Sequence, residues 1–222
     1  MTTEAISRLA RIPAGPVVLD GMLDIPPHAS GVVLFAHGSG SSRLSPRNNY
    51  VARVLRDAGL GTLLIDLLTR QEDEDYATRF DIPLLTRRLI EATSWLQDEP
   101  ATQSLAIGYF GASTGAAAAL QAAAEEKENI AAVVSRGGRP DLAGEDALQR
   151  VACPTLLIVG GFDDVVIELN REAYRFLRCE KELIIVPGAT HLFEEAGTLE
   201  QVARHAASWF GKFMPRPGAE SR

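Results

Sequence analysis

The chain has 222 residues, 46% of them hydrophobic and 23% charged, a balance that excludes a disordered, collagen-like or coiled-coil chain. Its 29 acidic residues outnumber 22 basic ones, for a formal net charge of −7, and broad binding to nucleic acid is therefore not expected. The length allows one large domain or two small ones and is enough to bury a substantial core.

Short apolar runs alternate with longer amphipathic stretches, the pattern of a mostly parallel twisted sheet with helices on both faces. Residues 17–25 read as a first strand, with Asp20 and Gly21 marking a turn or bulge within it. GVVLFA (31–36) is a buried strand, and 46–58 carries Val51, Val54, Leu55 and Ala58 at helical spacing. GTLLIDLL (61–68) is the next strand, followed by an acidic loop, QEDEDYATRF. A helix over 82–96, a strand over 104–110, an alanine-rich helix over 114–126 and a strand over 130–135 follow. A short helical segment (141–150), a strand (154–159), a helix (167–177), a strand (182–186) and a closing helix (199–213) complete the series. Trp209, Phe210 and Phe213 would pin that last helix to the sheet. No internal repeat, linker or low-complexity segment appears, so one domain is expected over 1–222, with its core at about 17–213.

Cys153 and Cys179 have no Cys or His at ligand spacing, so neither a disulfide framework nor a metal site is expected, only reduced and mostly buried thiols. The first sixteen residues carry Glu4, Arg8 and Arg11 and build no apolar core, unlike a secretory signal. No stretch reaches the roughly 18 apolar residues that a membrane span requires. A cytoplasmic protein without membrane or nucleic-acid partners is the expectation.

The strongest chemical signal is Gly111-Ala112-Ser113-Thr114-Gly115, which follows a predicted strand and opens a predicted helix. A sharp strand-to-helix turn holds a serine exposed, and small residues on either side let the turn close. The helix N-terminus also offers unpaired N–H groups to a developing oxyanion. The plainer alternative is that Ser113 caps the helix. An acid and a histidine follow in the order a serine nucleophile needs. Asp163 and Asp164 stand after the strand ending at 159, and His191 stands after the last strand, both at carboxyl ends, where open parallel sheets place their chemistry. Asp163 is preferred as the acid because it follows the glycine pair directly, whereas Asp164 is better placed to cap the helix; spacing alone leaves the two open. The aspartates could also be helix caps only, and the histidine a surface residue.

HGSGSS (37–42), GYFGASTG (108–115), GGFDD (160–164) and PGATH (187–191) together resemble the α/β-hydrolase superfamily and, with the compact length, its dienelactone hydrolase-like branch. The resemblance runs from about Val17 to Phe213. It implies an α/β-hydrolase fold, a triad of Ser113, Asp163 and His191, and no cofactor or metal. Ser39 and Thr114 are the expected oxyanion N–H donors, since the loop after the GVVLFA strand supplies the second such donor in this fold. That loop is not a phosphate loop, because no Gly-Lys-Ser/Thr follows it. His37 is expected to pack and hydrogen-bond, and His28 and His205 receive no role. One departure matters: dienelactone hydrolases use a cysteine nucleophile, and Ser113 in its place favours esterase chemistry on an ester, lactone or related acyl bond of a small soluble substrate.

A non-catalytic small-molecule binding protein on the same fold is the alternative, with thioesterase and perhydrolase variants also open. The span 137–151 is too short for a lid domain. Arg136 and Arg139 leave the sheet at the end that carries the triad residues, so either could hold an anionic group of the substrate in a bidentate fork. Pairing with Asp141 or with the acidic loop near Glu72 is the equally weighted alternative.

Overall fold

The computed structural model describes residues 4–214. Its eight strands form one sheet: β1 (Ile6–Ala14), β2 (Val17–Ile25), β3 (Gly31–Ala36), β4 (Gly61–Ile65), β5 (Ala106–Ala112), β6 (Ile130–Arg136), β7 (Thr155–Gly160) and β8 (Lys181–Val186). The spatial order is β1-β2-β4-β3-β5-β6-β7-β8. β1 and β2 pair antiparallel with each other, β2 joins β4 antiparallel, and every pairing from β4 through β3 to β8 is parallel. Strands β3, β4 and β7 are buried at every position, which is why they read as continuous apolar runs rather than alternating ones.

β1 was not expected from the sequence. Only Ala10, Ile12 and Ala14 of it turn inward, while Arg8 and Arg11 lie outside, so its apolar signal is thin. The break expected at Asp20 and Gly21 is also absent, because β1 and β2 pair in unshifted register from Ile6 opposite Ile25 to Ala14 opposite Val17. Gly21 is instead a packing residue: a Cβ there would stand 3.1 Å from Leu63 and 3.3 Å from both Ile12 and Ile65.

Helices cover both faces. On one lie α1 (Pro46–Asp57) and α7 (Thr198–Phe213), packing Val51, Leu55, Val202, Ala206 and Phe210 on Val33, Phe35, Phe110 and Val134. On the other, α3 (Ile82–Asp98), α4 (Thr114–Glu126), α5 (Glu145–Arg150) and α6 (Asp164–Phe176) pack their apolar sides. Two more elements were missed by periodicity. The short α2 (Arg70–Glu74) lies in the acidic loop, held by a reciprocal capping box between Thr69 and Glu72. A short 3-10 turn spans Thr78–Phe80. Between β6 and β7 only a 3-10 turn (Pro140–Ala143) and α5 intervene, so no large lid covers the carboxyl ends of the strands. Among the described residues, no helix is long and apolar enough to cross a membrane.

Candidate active site

Ser113 joins β5 to α4 with φ 50° and ψ −120°, a left-handed conformation that a side chain adopts only at a cost of about 1–3 kcal/mol. The two flanking glycines make this turn possible. A Cβ on Gly111 would stand 2.4 Å from Ala116 Cα, and one on Gly115 would stand 2.2 Å from the Ala36 carbonyl oxygen. α4 therefore presses against both its own strand and the end of β3. Ser113 occupies the N-cap position, yet its side chain makes no capping bond. The hydroxyl is thus not consumed by the helix, in contrast with the plainer expectation.

The Ser113 backbone is braced from β6, since its N–H donates to the Arg136 carbonyl at 3.3 Å and its carbonyl accepts the Arg139 N–H at 3.1 Å. The loop after β3 lies alongside, where a Cβ on Gly38 would approach Ser113 Cβ to 3.0 Å. His37 locks that loop. Its buried Nε2 accepts the Leu67 N–H at 3.0 Å, so Nδ1 carries the proton and donates it to the Gly38 carbonyl at 2.9 Å. Burial holds the His37 pKa below its ordinary value, against weaker opposing contributions from Gly38, Asp66 and Asp73. The packing and hydrogen-bonding role expected for His37 is what its contacts show. Ser39 N–H donates to Thr114 Oγ1 at 3.0 Å, so the two segments nominated for an oxyanion hole adjoin, with the threonine hydroxyl between them.

Asp163 and His191 arrive from the loops after β7 and β8. Those loops interlock because Gly160 has no side chain: a Cβ there would lie 2.5 Å from the carbonyl oxygens of both Ala189 and Thr190. Gly161 N–H donates to the Val186 carbonyl at 2.8 Å and Phe162 N–H to that of Ala189 at 2.9 Å. The outcome is a 2.6 Å contact between His191 Nδ1 and Asp163 Oδ2, with Asp163 mostly buried and His191 39% exposed. Asp164 instead begins α6 and is exposed. Asp163 rather than Asp164 is the N-cap residue, and its side chain makes no capping bond, leaving its carboxylate to the histidine. His191 also stands beside the turn after β6, where a Cβ on Gly137 would lie 3.5 Å from His191 Cε1. The turn carries φ 51° at that glycine.

The arginines part company. Arg139 closes its fork on Asp141, with Nε donating to Oδ1 at 2.9 Å and Nη2 to Oδ2 at 2.7 Å. The expectation that Arg139 reads a substrate anion is corrected accordingly: a carboxylate two residues away already fills its bidentate face. Arg136 is buried instead, and its Nε and Nη1 have no hydrogen-bond partner among the described residues.

An apolar rim escaped the sequence reading. Phe162 and Leu192, adjacent in sequence to Asp163 and His191, are 71% and 39% exposed. A cleft of about 520 Å³ runs from His37 along Ser41, Ser42, Asp66 and Thr69 beside the loop after β3. A second groove, of about 620 Å³, lies among α3, α4 and α5 and contains none of these residues.

A mostly parallel sheet of this order, flanked by helices and carrying a strained serine between strand and helix, defines an α/β-hydrolase fold. Residues 19–213 match the model of the dienelactone hydrolase family, and the chain belongs to that family. A crystal structure of a dienelactone hydrolase from Anabaena variabilis ATCC 29413 is 57% identical, with a TM-score of 0.91 over 95% of this chain and 99% of that one. Est1E from Butyrivibrio proteoclasticus shares the fold at 17% identity, with a TM-score of 0.79 over 93% of this chain and 98% of that one. A Mycobacterium tuberculosis (strain H37Rv) protein named "Putative phosphoribosyl transferase Rv0571c" is 59% identical over 208 residues. That match takes in 94% of this chain and 47% of the relative, so the chain spans about half the length of the curated relatives it matches.

Proposed function

We propose that the chain is a serine hydrolase that cleaves an ester, lactone or related acyl bond of a small soluble substrate through an acyl-enzyme on Ser113. The observation that carries this reading is the 2.6 Å His191–Asp163 contact at the same sheet end as a serine in a strained elbow whose side chain caps nothing. Asp163 holds the proton of His191 on Nδ1, which leaves the Nε2 lone pair to accept the Ser113 proton. Ser113 Oγ then bonds to the carbonyl carbon, and the leaving oxygen departs with the proton that His191 returns. Water repeats the sequence on the acyl-enzyme, with His191 again as base. Thr114 N–H, in the first turn of α4, and Ser39 N–H are assigned to the oxyanion, each worth about 3 kcal/mol in the transition state. Ser39 N–H becomes available when the Thr114 hydroxyl rotates away from it, a rotamer change rather than a backbone movement.

The short span between β6 and β7 supports small or extended soluble substrates over buried lipid chains. The transferase name belongs to proteins about twice as long as this chain. A fluorophosphonate probe tests the reading directly. It is expected to label the parent at Ser113 and to leave Ser113→Ala unlabelled, with both proteins melting at similar temperatures. Equal labelling of both, or undiminished ester turnover by Ser113→Ala, would exclude Ser113 as the nucleophile.

A further inference from the structure

α6 turns one stripe toward the sheet, formed by Val166, Ile167, Asn170 and Ala173, and a single amide interrupts that otherwise apolar face. Asn170 is fully buried. Its Nδ2 donates to the Val166 carbonyl one helical turn back, at 2.8 Å, and to the Gly138 carbonyl at 3.0 Å. Its Oδ1 is buried without a hydrogen-bond partner among the described residues. Both Nδ2 partners are carbonyls, so the two ends of the amide cannot exchange places, and the unpaired oxygen is a net cost to stability. A residue that served the core alone would be apolar here, as Val166 and Ala173 are. The amide therefore serves the bond to Gly138 rather than packing.

Gly138 lies in the middle of the turn after β6, and both the serine and the histidine segments touch that turn. Before it, Gly137 N–H donates to the Ile158 carbonyl at 2.8 Å and anchors the turn to β7. A Cβ on Gly137 would lie 3.2 Å from the His191 carbonyl oxygen and 3.5 Å from His191 Cε1. After it, Arg139 N–H donates to the Ser113 carbonyl at 3.1 Å. A Cβ on Gly138 itself would collide with Ser135 Oγ and stand 2.7 Å from Ala116 Cβ, so the turn is pressed between β6 and α4. The helix that carries Asn170 has Asp163 as its N-cap, seven residues earlier. The Asn170–Gly138 bond thus joins the helix of the acid to the turn that braces the serine and adjoins the histidine.

We propose that Asn170 is a positioning residue: by holding the Gly138 carbonyl, it sets the spacing between the Ser113 elbow and the Asp163–His191 pair. Its effect on rate rests on the serine-hydrolase reading; the link from Asn170 to the Ser113 turn does not. Asn170 acts through Gly138 and not on the substrate. A misplacement of about 1 Å between reacting groups costs about a hundredfold in rate, and that cost falls on the chemical step rather than on substrate binding.

Two variants of the full chain test this. Asn170→Leu removes the donor and keeps the branched shape, whereas Asn170→Ser keeps a hydroxyl that can return to the Val166 carbonyl but cannot reach Gly138. For each, kcat and KM on a small activated ester, the second-order rate of fluorophosphonate labelling and the melting temperature are compared with the parent. Asn170→Leu is expected to lower kcat and the labelling rate roughly tenfold to a hundredfold, with KM within about twofold. Its melting temperature should stay within about 4 °C of the parent. Asn170→Ser should show the same division between kcat and KM. A packing role alone predicts the opposite pattern, a lower melting temperature with kcat of the folded enzyme unchanged. Hydrogen exchange supplies a readout independent of catalysis. The Gly137 and Arg139 amides should exchange roughly tenfold faster in both variants, while those at 132–134 in β6 keep the parent rate. If the parent neither cleaves the ester nor takes the label, the hydrolase reading fails, and exchange at the two amides still decides the link. If Asn170→Leu does not fold, Asn170→Ser carries every measurement. A kcat within about twofold of the parent, or unchanged exchange at both amides, overturns the proposal.

Discussion

Replacing Asp163 with asparagine isolates what the buried carboxylate does for His191. The change keeps the side-chain shape and removes one charge from a 2.6 Å contact in which the acid is 17% exposed and the histidine 39%. In the proposed mechanism His191 accepts the serine proton and its ring becomes cationic, and opposite unit charges about 4 Å apart attract by about 4 kcal/mol at an effective dielectric near 20. Solvent on the open side of His191 screens part of this, leaving about 2 kcal/mol, or roughly thirtyfold in rate. Asparagine adds a second fault. Its amide can donate to Nδ1 and so hold the histidine proton on Nε2, the nitrogen that must accept from Ser113. The two effects together predict a fall in kcat/KM of about 10² to 10⁴ on a small activated ester. The assay is steady-state hydrolysis of an acetate ester with chromogenic release, paired with the second-order rate of fluorophosphonate labelling and a thermal melt. Asp164→Asn is the control, expected within about twofold of the parent because that exposed side chain caps nothing and reaches no histidine. Asp163→Asn within tenfold of the parent, or Asp164→Asn as the more damaging change, would refute the reasoning.

Gly115→Ala should destabilise the chain by about 3 kcal/mol or more, because the new methyl meets the backbone carbonyls of Ala36 and His37, at 2.2 and 2.5 Å, rather than a movable side chain. Urea unfolding reads this out, and a variant within 0.5 kcal/mol of the parent would mean that the elbow relaxes freely. For His37, burial depresses the folded-state pKa, so below its ordinary value of 6.5 the unfolded chain takes up a proton that the folded chain refuses. That contribution is fully present above pH 6.5 and is lost as pH falls from there toward the depressed folded value. His37→Gln is expected to flatten the decline in melting temperature between about pH 7 and pH 5 and to slow labelling of Ser113 by loosening the oxyanion loop. A parallel decline in both proteins would remove His37 as its source.

The parallel half of the sheet was legible in the sequence because burial on both faces writes itself as unbroken apolar runs at 31–36 and 155–160. The elbow was legible for a similar reason: a left-handed serine pressed between a strand and a helix needs small residues on both sides, and Gly111 and Gly115 supply them. Both constraints are local, so a window of a few residues contains them. β1 was illegible because three small or medium inward residues, separated by Arg11 and Pro13, become a strand only once β2 offers a partner. α2 depends on a capping box inside a charged loop, without an apolar face to announce it. The arginines show the limit most clearly, since the sequence places Arg136 and Arg139 at the same sheet end with the same chemistry. Only tertiary structure separates them. The turn after β6 lets Arg139 reach Asp141 along the chain, whereas the pleat directs Arg136 to the opposite face, under Phe193 and beside Arg47, partners 57 and 89 positions away. Whether a charge is paired depends on groups brought together through space, and that is information no run of neighbouring residues contains.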